Sequence, residues 1–470
     1  MLNTLSLPTI VIYMKKQLLI IISCMTIHVI AHAQNADSLM LRALFNETMS
    51  HSGAYENLRV LCKEIGPRLS GSANAEKAVQ TTYEMMKRAG ADTVYKQPCM
   101  VPRWERGSKE SGFVMLHDGS KRMLKLCALG NAVSTSKKGL HAEVVEVRSF
   151  GQLDSIGAIG ISGKIVFFNF PMNPNYLHTF RAYGESGVSR WNGPSQAARY
   201  GAVGAMVRSL SSNTDAYPHT GVLGYNDSFP KIPAIAISTM DAEWLSTQIS
   251  NHHIKDVWFK TSCTMLSDAP SFNVIGEIRG TEHPEEIITI GGHLDSWDLG
   301  EGAHDDGAGC MQTIEMLRSF KALHLNPKRT IRFVMYMNEE NGGRGGDAYL
   351  AGAKKNNENH LFAIESDAGG FSPRGFSLSV SPQQYAAVQS WLPLLAPYEI
   401  DRISQGGSGS DIENLSEIGA ALAGLRPDSQ RYFDVHHAAT DVFESVSKRE
   451  LDLGSFAMAA LVYLVDRHGL

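Results

Sequence analysis

The sequence predicts an α/β fold in which a mixed, largely parallel sheet is flanked by helices and interrupted by an inserted β-rich domain. Three observations support this prediction. After Phe272, short apolar runs alternate with helical patterns. Between His117 and Thr264, the pattern changes to short β-type runs separated by Gly-, Asn- and Ser-rich turns. With 470 residues, 43% of them hydrophobic, the chain is long enough for two domains with buried cores.

The segment from Asp37 to about Ala89 has a helical pattern. It is broken at Gly66-Pro67-Arg68-Leu69-Ser70-Gly71-Ser72, where Gly and Pro end one helix and Ser72 can cap the next. We therefore expect helices here that pack on another part of the fold.

The middle of the chain predicts a separate unit. Its apolar runs are Gly163 to Phe168, Ala202 to Val207 and Ile232 to Ile237. Short runs bounded by turn residues are typical of strands in a small β-rich or mixed domain. We therefore expect one domain formed by residues 34–117 and 266–470, with residues 118–265 inserted into it.

The C-terminal half alternates between strand and helix patterns. Strand patterns cover Ile287 to Ile290, Ile331 to Met337 and Leu361 to Glu365, and a helix pattern covers Gly307 to Leu323. Such alternation indicates parallel strands with helices on both faces. Because ligands of such sheets bind beyond the carboxyl ends of the strands, the residues that follow these strands are candidate site residues.

The N-terminus predicts an export signal at residues 1–33, which would make the protein periplasmic or secreted. Met14-Lys15-Lys16 is a charged start that an upstream start codon can precede, an apolar run follows, and Ala31-His32-Ala33 is a cleavage site. The apolar run is too short to span a membrane. Two alternatives stay open, an N-terminal core helix and a lipid anchor at Cys24, because Ile21-Ile22-Ser23-Cys24 loosely matches a lipidation box.

Composition argues against a nucleic-acid partner. The formal net charge is −5 and Lys and Arg form no cluster, whereas nucleic-acid binders usually carry a clustered basic excess. The six cysteines fall to five without the signal segment. An odd, scattered set is typical of neither a disulfide framework nor a zinc finger, although it allows one bridge.

Six side chains in the C-terminal half form a candidate metal site. They are His293, Asp305, Glu339, Glu340, Asp367 and His437. Two histidines and three carboxylates make a nitrogen and oxygen ligand set that suits two zinc ions, and one glutamate is left to act as a base. Most of them directly follow predicted strands, so we expect them to meet at one edge of the sheet.

Each of these segments taken alone also has a structural interpretation. Asp305 begins a predicted helix, where the helix dipole favours an acid. Glu339 and Glu340 are harder to explain in this way, because two acids after a buried strand repel each other unless a cation is near. Asp295 is placed to accept the second ring N–H of His293, which would fix the imidazole tautomer.

The candidate residues stand in distinctive motifs. These are Gly-Gly-His-Leu-Asp-Ser-Trp-Asp, Asp-Asp-Gly, Asn-Glu-Glu, Glu-Ser-Asp-Ala-Gly, and His-His followed by Thr-Asp. Together they resemble the co-catalytic di-zinc aminopeptidase family over most of the chain that follows the signal segment. The resemblance implies a zinc exopeptidase fold, a protease-associated domain as the insertion, two Zn²⁺ per chain and a homodimer.

The resemblance also implies residue roles. Its ligands would be Asp305 bridging both metals, His293 and Asp367 on one zinc, and Glu340 and His437 on the other. Glu339 would be the general base, and Asp295 the partner of His293. His437 is preferred to His436 because it stands four residues before Asp441, the spacing of the family motif.

The function implied is an exported exopeptidase that hydrolyses dipeptides or short peptides with a free N-terminus, through a metal-bound hydroxide and Glu339. A glutaminyl cyclase-like enzyme with a single zinc and a non-catalytic binding module remain as alternatives, both disfavoured by the intact ligand set. Tyr432 is a candidate for stabilising an oxyanion, and Arg344 and Arg426 for meeting a substrate carboxylate. His304 is expected to face solvent beside the site.

Overall fold

A computed structural model describes residues 36–470. The strands are β1 (Thr93–Glu105), β2 (Ser111–Leu116), β3 (Lys121–Met123), β4 (Leu126–Ala128), β5 (Leu140–Ala142), β6 (Val144–Val147), β7 (Ile165–Phe168), β8 (Gly204–Arg208), β9 (Ala234–Ile237), β10 (Ile254–Lys260), β11 (Thr264–Ile278), β12 (His283–His293), β13 (Arg329–Tyr336), β14 (Asn359–Glu365), β15 (Pro373–Ser379), β16 (Arg402–Gln405) and β17 (Ala421–Pro427). The α-helices are α1 (36–51), α2 (Ala54–Arg59), α3 (Ala73–Ala89), α4 (Phe150–Ile161), α5 (Thr179–Arg199), α6 (Thr239–Ser250), α7 (Ala308–Ala322), α8 (Arg344–Asn356), α9 (Pro382–Ser390), α10 (Leu392–Leu395), α11 (Tyr432–Val435) and α12 (Lys448–His468). The predicted export signal and Cys24 lie outside the described residues. Within the described range, no helix has both the length and the hydropathy that a membrane crossing requires.

One large sheet carries the candidate ligands. Its eight strands lie in the order β1-β11-β13-β12-β14-β17-β15-β16. Strands β13, β12, β14 and β17 run parallel to one another, as do β15 and β16. The pairs β1–β11, β11–β13 and β15–β17 are antiparallel. The predicted mixed α/β sheet flanked by helices is therefore confirmed.

Apolar cores on both faces of this sheet explain the continuous apolar run of β13. Ile331, Phe333 and Met335 lie in the larger core with residues of α3, α7 and α12. Val334 and Tyr336 lie in the opposite core with residues of α8. A strand covered on both faces buries successive side chains, so its run is nearly continuous. Arg332 interrupts the run and is paired with Glu277 and Glu358, both at 2.7 Å. The five cysteines of residues 36–470 are all buried and free.

The inserted segment is built around two further sheets. A five-stranded sheet has the order β4-β9-β8-β7-β6 and a four-stranded sheet the order β3-β2-β10-β5. Helices α4, α5 and α6 belong to the same segment, which therefore combines strands with long helices. Strand β2 pairs with β10, so residues 111–116 join the insertion although they precede the predicted boundary. The protease-associated character of this segment stays a prediction.

Two glycines let β12 extend further than predicted, as far as His293. A Cβ atom at Gly291 would lie 2.6 Å from Cε2 of Tyr336, and one at Gly292 would collide with Oδ2 of Asp306. Because neither glycine has a side chain, Tyr336 and Asp306 can pack directly against the end of the strand. His293 is consequently the last residue of a buried central strand.

Arg68 connects the segment between α2 and α3 to the loop that follows β12. Its guanidinium is fully buried and donates to the carbonyl oxygens of Leu294 at 2.6 Å, Glu301 at 2.6 Å and Gly302 at 2.9 Å. The same segment ends at Ser72, whose Oγ accepts from the Ala75 N–H and caps α3 as predicted. Arg68 thus supplies hydrogen bonds that three loop carbonyls cannot obtain from water.

We expect Arg68→Ala to lower the free energy of unfolding by about 3 kcal/mol or more, because it removes a buried donor from each of three loop carbonyls and leaves only that of Gly302 with another partner, the N–H of Gly307 at 3.0 Å. Urea denaturation followed by tryptophan fluorescence measures the change. Arg88→Ala, on the exposed side of α3, is the matched control and should stay within about 0.5 kcal/mol of the wild type. Equal losses in the two variants would contradict the role given to Arg68.

Candidate metal centre

Three neighbouring parallel strands deliver candidate ligands to one edge of the large sheet. His293 ends β12, Glu339 and Glu340 follow β13, and Asp367 follows β14. Because β13, β12 and β14 are adjacent and parallel, their carboxyl ends lie side by side. The strand order therefore brings together residues that are far apart in the sequence.

Asp305 lies at the centre of the cluster. It belongs to the turn Ala303–Gly307 that precedes α7. Its Oδ1 is 3.2 Å from Nε2 of His293, and its Oδ2 is 3.2 Å from Nε2 of His437. One carboxylate therefore faces two different imidazoles with its two oxygens.

The remaining ligands divide between the two sides of Asp305. On the first side, Nε2 of His293 lies 3.6 Å from Oδ1 of Asp367. On the second side, Nε2 of His437 lies 3.2 Å from Oε2 of Glu340. Each side combines imidazole nitrogen with carboxylate oxygen, the donor types that zinc prefers.

Both histidines lie in strongly acidic surroundings. Burial lowers the pKa of His293, but the carboxylates of Asp305 and Asp367 outweigh it and raise that pKa well above its usual value. His437 behaves in the same way, because Glu340 and Asp305 raise its pKa despite burial. Without a metal ion, these ring nitrogens therefore bind protons, and the positive charge comes from the protonated imidazoles.

The glutamates that follow β13 also show the cost of crowding acids together. Burial and repulsion from Asp305 raise the pKa of Glu340 to about 8. Burial, together with the charge of Asp367, raises the pKa of Glu339. Oδ2 of Asp305 is buried and accepts no hydrogen bond from any described residue. A cation at this point would relieve both the repulsion and the unsatisfied oxygen.

His436 lies close to the site as well. Its Nε2 is 3.6 Å from Oδ2 of Asp305, and its ring stacks on that of His437 with centroids 3.6 Å apart. Asp305, His436 and His437 together are close enough to hold an ion. The contact of His437 with Glu340 distinguishes the two histidines and supports the preference for His437.

Asp295 contacts His293 differently from the prediction. The ring nitrogen Nδ1 of His293 lies 3.0 Å from the backbone oxygen of Asp295 and 3.8 Å from its carboxylate. The carboxylate instead accepts from the N–H groups of Asn338 at 2.7 Å and Glu339 at 3.1 Å. Asp295 therefore orients both His293 and the turn that carries the two glutamates.

The inserted segment supplies contacts that sequence reasoning missed. Thr220 donates its N–H to the backbone oxygen of His437 at 2.9 Å, and its own carbonyl lies 3.3 Å from Nδ1 of His437. Nδ1 of His219 lies 2.6 Å from the backbone oxygen of His436. The insertion consequently fixes the loop that carries His437, and Thr220 favours the tautomer that leaves Nε2 free for a metal.

The expectation that His304 faces solvent is wrong. Its side chain is 1% exposed and stacks on Phe371 with ring centroids 4.2 Å apart. Its backbone N–H donates to Asp441 at 2.7 Å, and the N–H of Asp305 donates to the same carboxylate at 3.2 Å. Asp441 therefore fixes the turn that presents Asp305, and packing against Phe371 buries the histidine ring.

A cavity of about 370 Å³ opens over the cluster. Its aromatic walls are Phe180, Tyr183, Trp191 and Tyr432. Glu339 also borders a second cavity of about 500 Å³ on the other side of Trp191. Glu339 thus lies where two cavities meet, and Tyr432, proposed from sequence for an oxyanion, is placed in the wall of the first.

Comparisons with known proteins agree with this geometry. The sequence model described as peptidase family M28 matches residues 273–462. Carboxypeptidase Q of Homo sapiens is 36% identical over 431 residues, covering 92% of this chain and 88% of the relative. A peptidase M28 precursor from Shewanella amazonensis superposes with a TM-score of 0.87 and 29% identity, covering 92% of this chain and 97% of that one. A zinc aminopeptidase from Bacillus subtilis shares the fold, with a TM-score of 0.64, 20% identity, and coverage of 87% and 94%.

We expect zinc binding to release protons and to strengthen as the pH rises. The pKa values of His293 and His437 are raised in the metal-free protein, so protons compete with the metal up to a higher pH than at an ordinary histidine. Affinity should therefore rise about tenfold per pH unit for each proton released, between about pH 6 and 8. Calorimetric zinc titrations in buffers of different ionisation enthalpy measure this release, and a pH-independent affinity would contradict it.

Proposed function

The chain belongs to peptidase family M28 and is a zinc-dependent exopeptidase, and from this premise we propose that it is an exported di-zinc enzyme that hydrolyses dipeptides or short peptides with a free N-terminus. The observation that carries the proposal is the position of Asp305, whose two oxygens face two separate nitrogen and oxygen donor groups. A single zinc would leave one of these groups without a cation.

The donor set fits two zinc ions. One would be held by Asp305 with His293 and Asp367, the other by Asp305 with Glu340 and His437. Both groups lie at the bottom of the 370 Å³ cavity, where Asp305, Glu340 and Asp367 form part of the lining. Zinc bound there would supply a Lewis acid that polarises a peptide carbonyl and lowers the pKa of water.

Glu339 is the proposed general base. Its side chain is 24% exposed and borders the cavity, and Oε1 accepts from Oγ of Ser410 at 2.6 Å. That hydrogen bond leaves Oε2 to take the proton of the attacking water and return it to the leaving amine. A raised pKa brings the carboxylate closer to the value at which both transfers are efficient.

The proposed preference for substrates with a free N-terminus rests on the charge of side chains that line the cavity. Asp367 and Glu339 both border the cavity, and both are partly exposed. An ammonium group of the substrate would be attracted to Glu339, the one of the two that holds no zinc, whereas an acetylated N-terminus is neutral. The proposal therefore predicts an exopeptidase that cleaves next to the substrate's first residue.

Export and assembly complete the proposal. The pattern of residues 1–33 supports transfer to the periplasm or the exterior, with a lipid anchor at Cys24 as the alternative. The homodimer is proposed from the family resemblance. The two donor groups that Asp305 faces favour the di-zinc peptidase over the single-zinc cyclase, and metal stoichiometry distinguishes the two.

We expect two zinc ions per wild-type chain and fewer than about half an ion in Asp305→Asn, because that carboxylate would serve both ions and an amide is a weaker ligand. Asp367→Asn, a matched change at a ligand of one ion, should retain about one. Mass spectrometric metal analysis after dialysis against buffered zinc measures the ratio. One ion in the wild type would refute the di-zinc site and favour the cyclase.

We expect Glu339→Gln to keep its zinc and to lower kcat about 10²- to 10⁴-fold, because it removes only the proton carrier. The assay follows hydrolysis of a dipeptide with both termini free and of its N-acetylated form, which the wild type should not cleave. Glu76→Gln, the same change at an exposed position on α3, is the control. Full activity in Glu339→Gln would remove Glu339 from this role.

A further inference from the structure

Helix α5 of the inserted segment forms one wall of the cavity above the metal centre. Phe180, Tyr183, Arg190 and Trp191 all border that cavity. Their spacing places them on one face of the helix, about 100° wide. The insertion therefore contributes a continuous surface to the cavity, and one of its four side chains is a cation.

Arg190 is a buried guanidinium whose hydrogen bonds are incomplete. It is 8% exposed, and its Nη2 donates to Oη of Tyr183 at 2.7 Å. Its Nη1 lies 3.4 Å from the carbonyl oxygen of Thr220 and 3.4 Å from Nδ1 of His437. Its Nε is buried and has no acceptor among residues 36–470. The strongest contact of this cation is thus with a neutral phenol.

Within residues 36–470, no carboxylate oxygen lies within 4.0 Å of Arg190; by contrast, Arg106 pairs with Asp298 at 2.6 Å and Arg332 with Glu358 at 2.7 Å. A buried cation without a counter-ion is costly, since water no longer solvates its charge. An anion that enters the cavity would supply the missing partner. A carboxylate matches a guanidinium best, because its two oxygens accept parallel hydrogen bonds.

We propose that Arg190 binds the C-terminal carboxylate of a dipeptide substrate and that the inserted helix thereby makes the enzyme select dipeptides. This inference rests on the proposed function. The cavity is acidic at Glu339, which suits the ammonium end of a dipeptide, and cationic at Arg190, which suits its carboxylate end. Tyr183 holds the guanidinium toward the cavity through the 2.7 Å hydrogen bond.

The two arginines proposed from the sequence are placed less favourably. Arg344 is exposed at the start of α8. Arg426 donates to Oγ of Ser377 at 2.7 Å and to the carbonyl of Ser408 at 3.0 Å, and its Cζ lies 6.0 Å from the ring centroid of Phe180. Arg190 borders the metal-centre cavity, whereas Arg426 is not among the residues that line it. Arg426 therefore serves as the matched control for Arg190.

The test measures kcat and KM of the zinc-loaded enzyme for a dipeptide with both termini free and for its C-terminal amide. We expect the wild type to prefer the acid about 10- to 100-fold, the range of a charge-assisted hydrogen bond. Arg190→Gln should abolish this preference by raising KM for the acid, and should change the kcat/KM of the amide less than about threefold. Arg426→Gln should keep the preference, and Arg190→Lys should restore part of it.

Three results in the variants would overturn the inference. The first is an unchanged preference for the acid in Arg190→Gln, and the second is a lost preference in Arg426→Gln. The third is an equal loss of kcat/KM for acid and amide in Arg190→Gln, which would mean that Arg190 only positions His437 and Thr220. If Arg190→Gln fails to retain zinc, Tyr183→Phe tests the inference in its place. This variant should keep its normal zinc content and lower the preference for the acid several-fold. A wild type that cleaves both peptides equally refutes this inference alone, whereas one that cleaves neither refutes the proposed function.

Discussion

Repulsion among buried carboxylates is the constraint on which the rest of the structure depends. Asp305, Glu340, Glu339 and Asp367 lie together at one edge of the large sheet, and burial together with repulsion from Asp305 raises the pKa of Glu340 to about 8. A fold that concentrates acids in this way is stable only when cations lie among them. His293 and His437 supply that charge when protonated, and metal ions supply it without the protons.

A second set of buried carboxylates fastens the loops that carry the first. Asp295 accepts from the N–H groups of Asn338 and Glu339, Asp306 from those of His293 and Gly309, and Asp441 from those of His304 and Asp305. Each of these acids therefore fixes a turn beside the ligands through hydrogen bonds that it accepts from backbone N–H groups. The missing side chain at Gly292 leaves room for Asp306 to reach the end of β12.

Four of the site residues that the sequence predicted share one physical cause. Buried parallel strands leave continuous apolar runs, and the residues that end them must gather at one edge, so the pattern of apolar runs was enough to place His293, Glu339, Glu340 and Asp367 together. Contacts between distant loops leave no such pattern, which is why Thr220 and Arg190 were missed. Backbone atoms carry no sequence signal either, so the carbonyl of Asp295 could not be distinguished from its carboxylate as the partner of His293.

The insertion is fixed to the metal centre, which explains how it can act on a site carried by another sheet. Arg106, between β1 and β2, donates to the carbonyl oxygen of Ala128 in the insertion at 2.6 Å and to both carboxylate oxygens of Asp298 at 2.7 and 2.6 Å. Trp104 donates from its ring nitrogen to the carbonyl oxygen of Ala132 in the insertion at 3.0 Å and packs edge-on against Trp297 with centroids 6.3 Å apart. The backbone N–H of Trp297 in turn donates to Oε1 of Glu340 at 3.1 Å. Moving the insertion would therefore disturb Glu340 through Trp297 and His437 through Thr220. Because the same contacts hold the ligands and place α5 over the cavity, the geometry of the metal centre and the shape of the substrate cavity are not independent of each other.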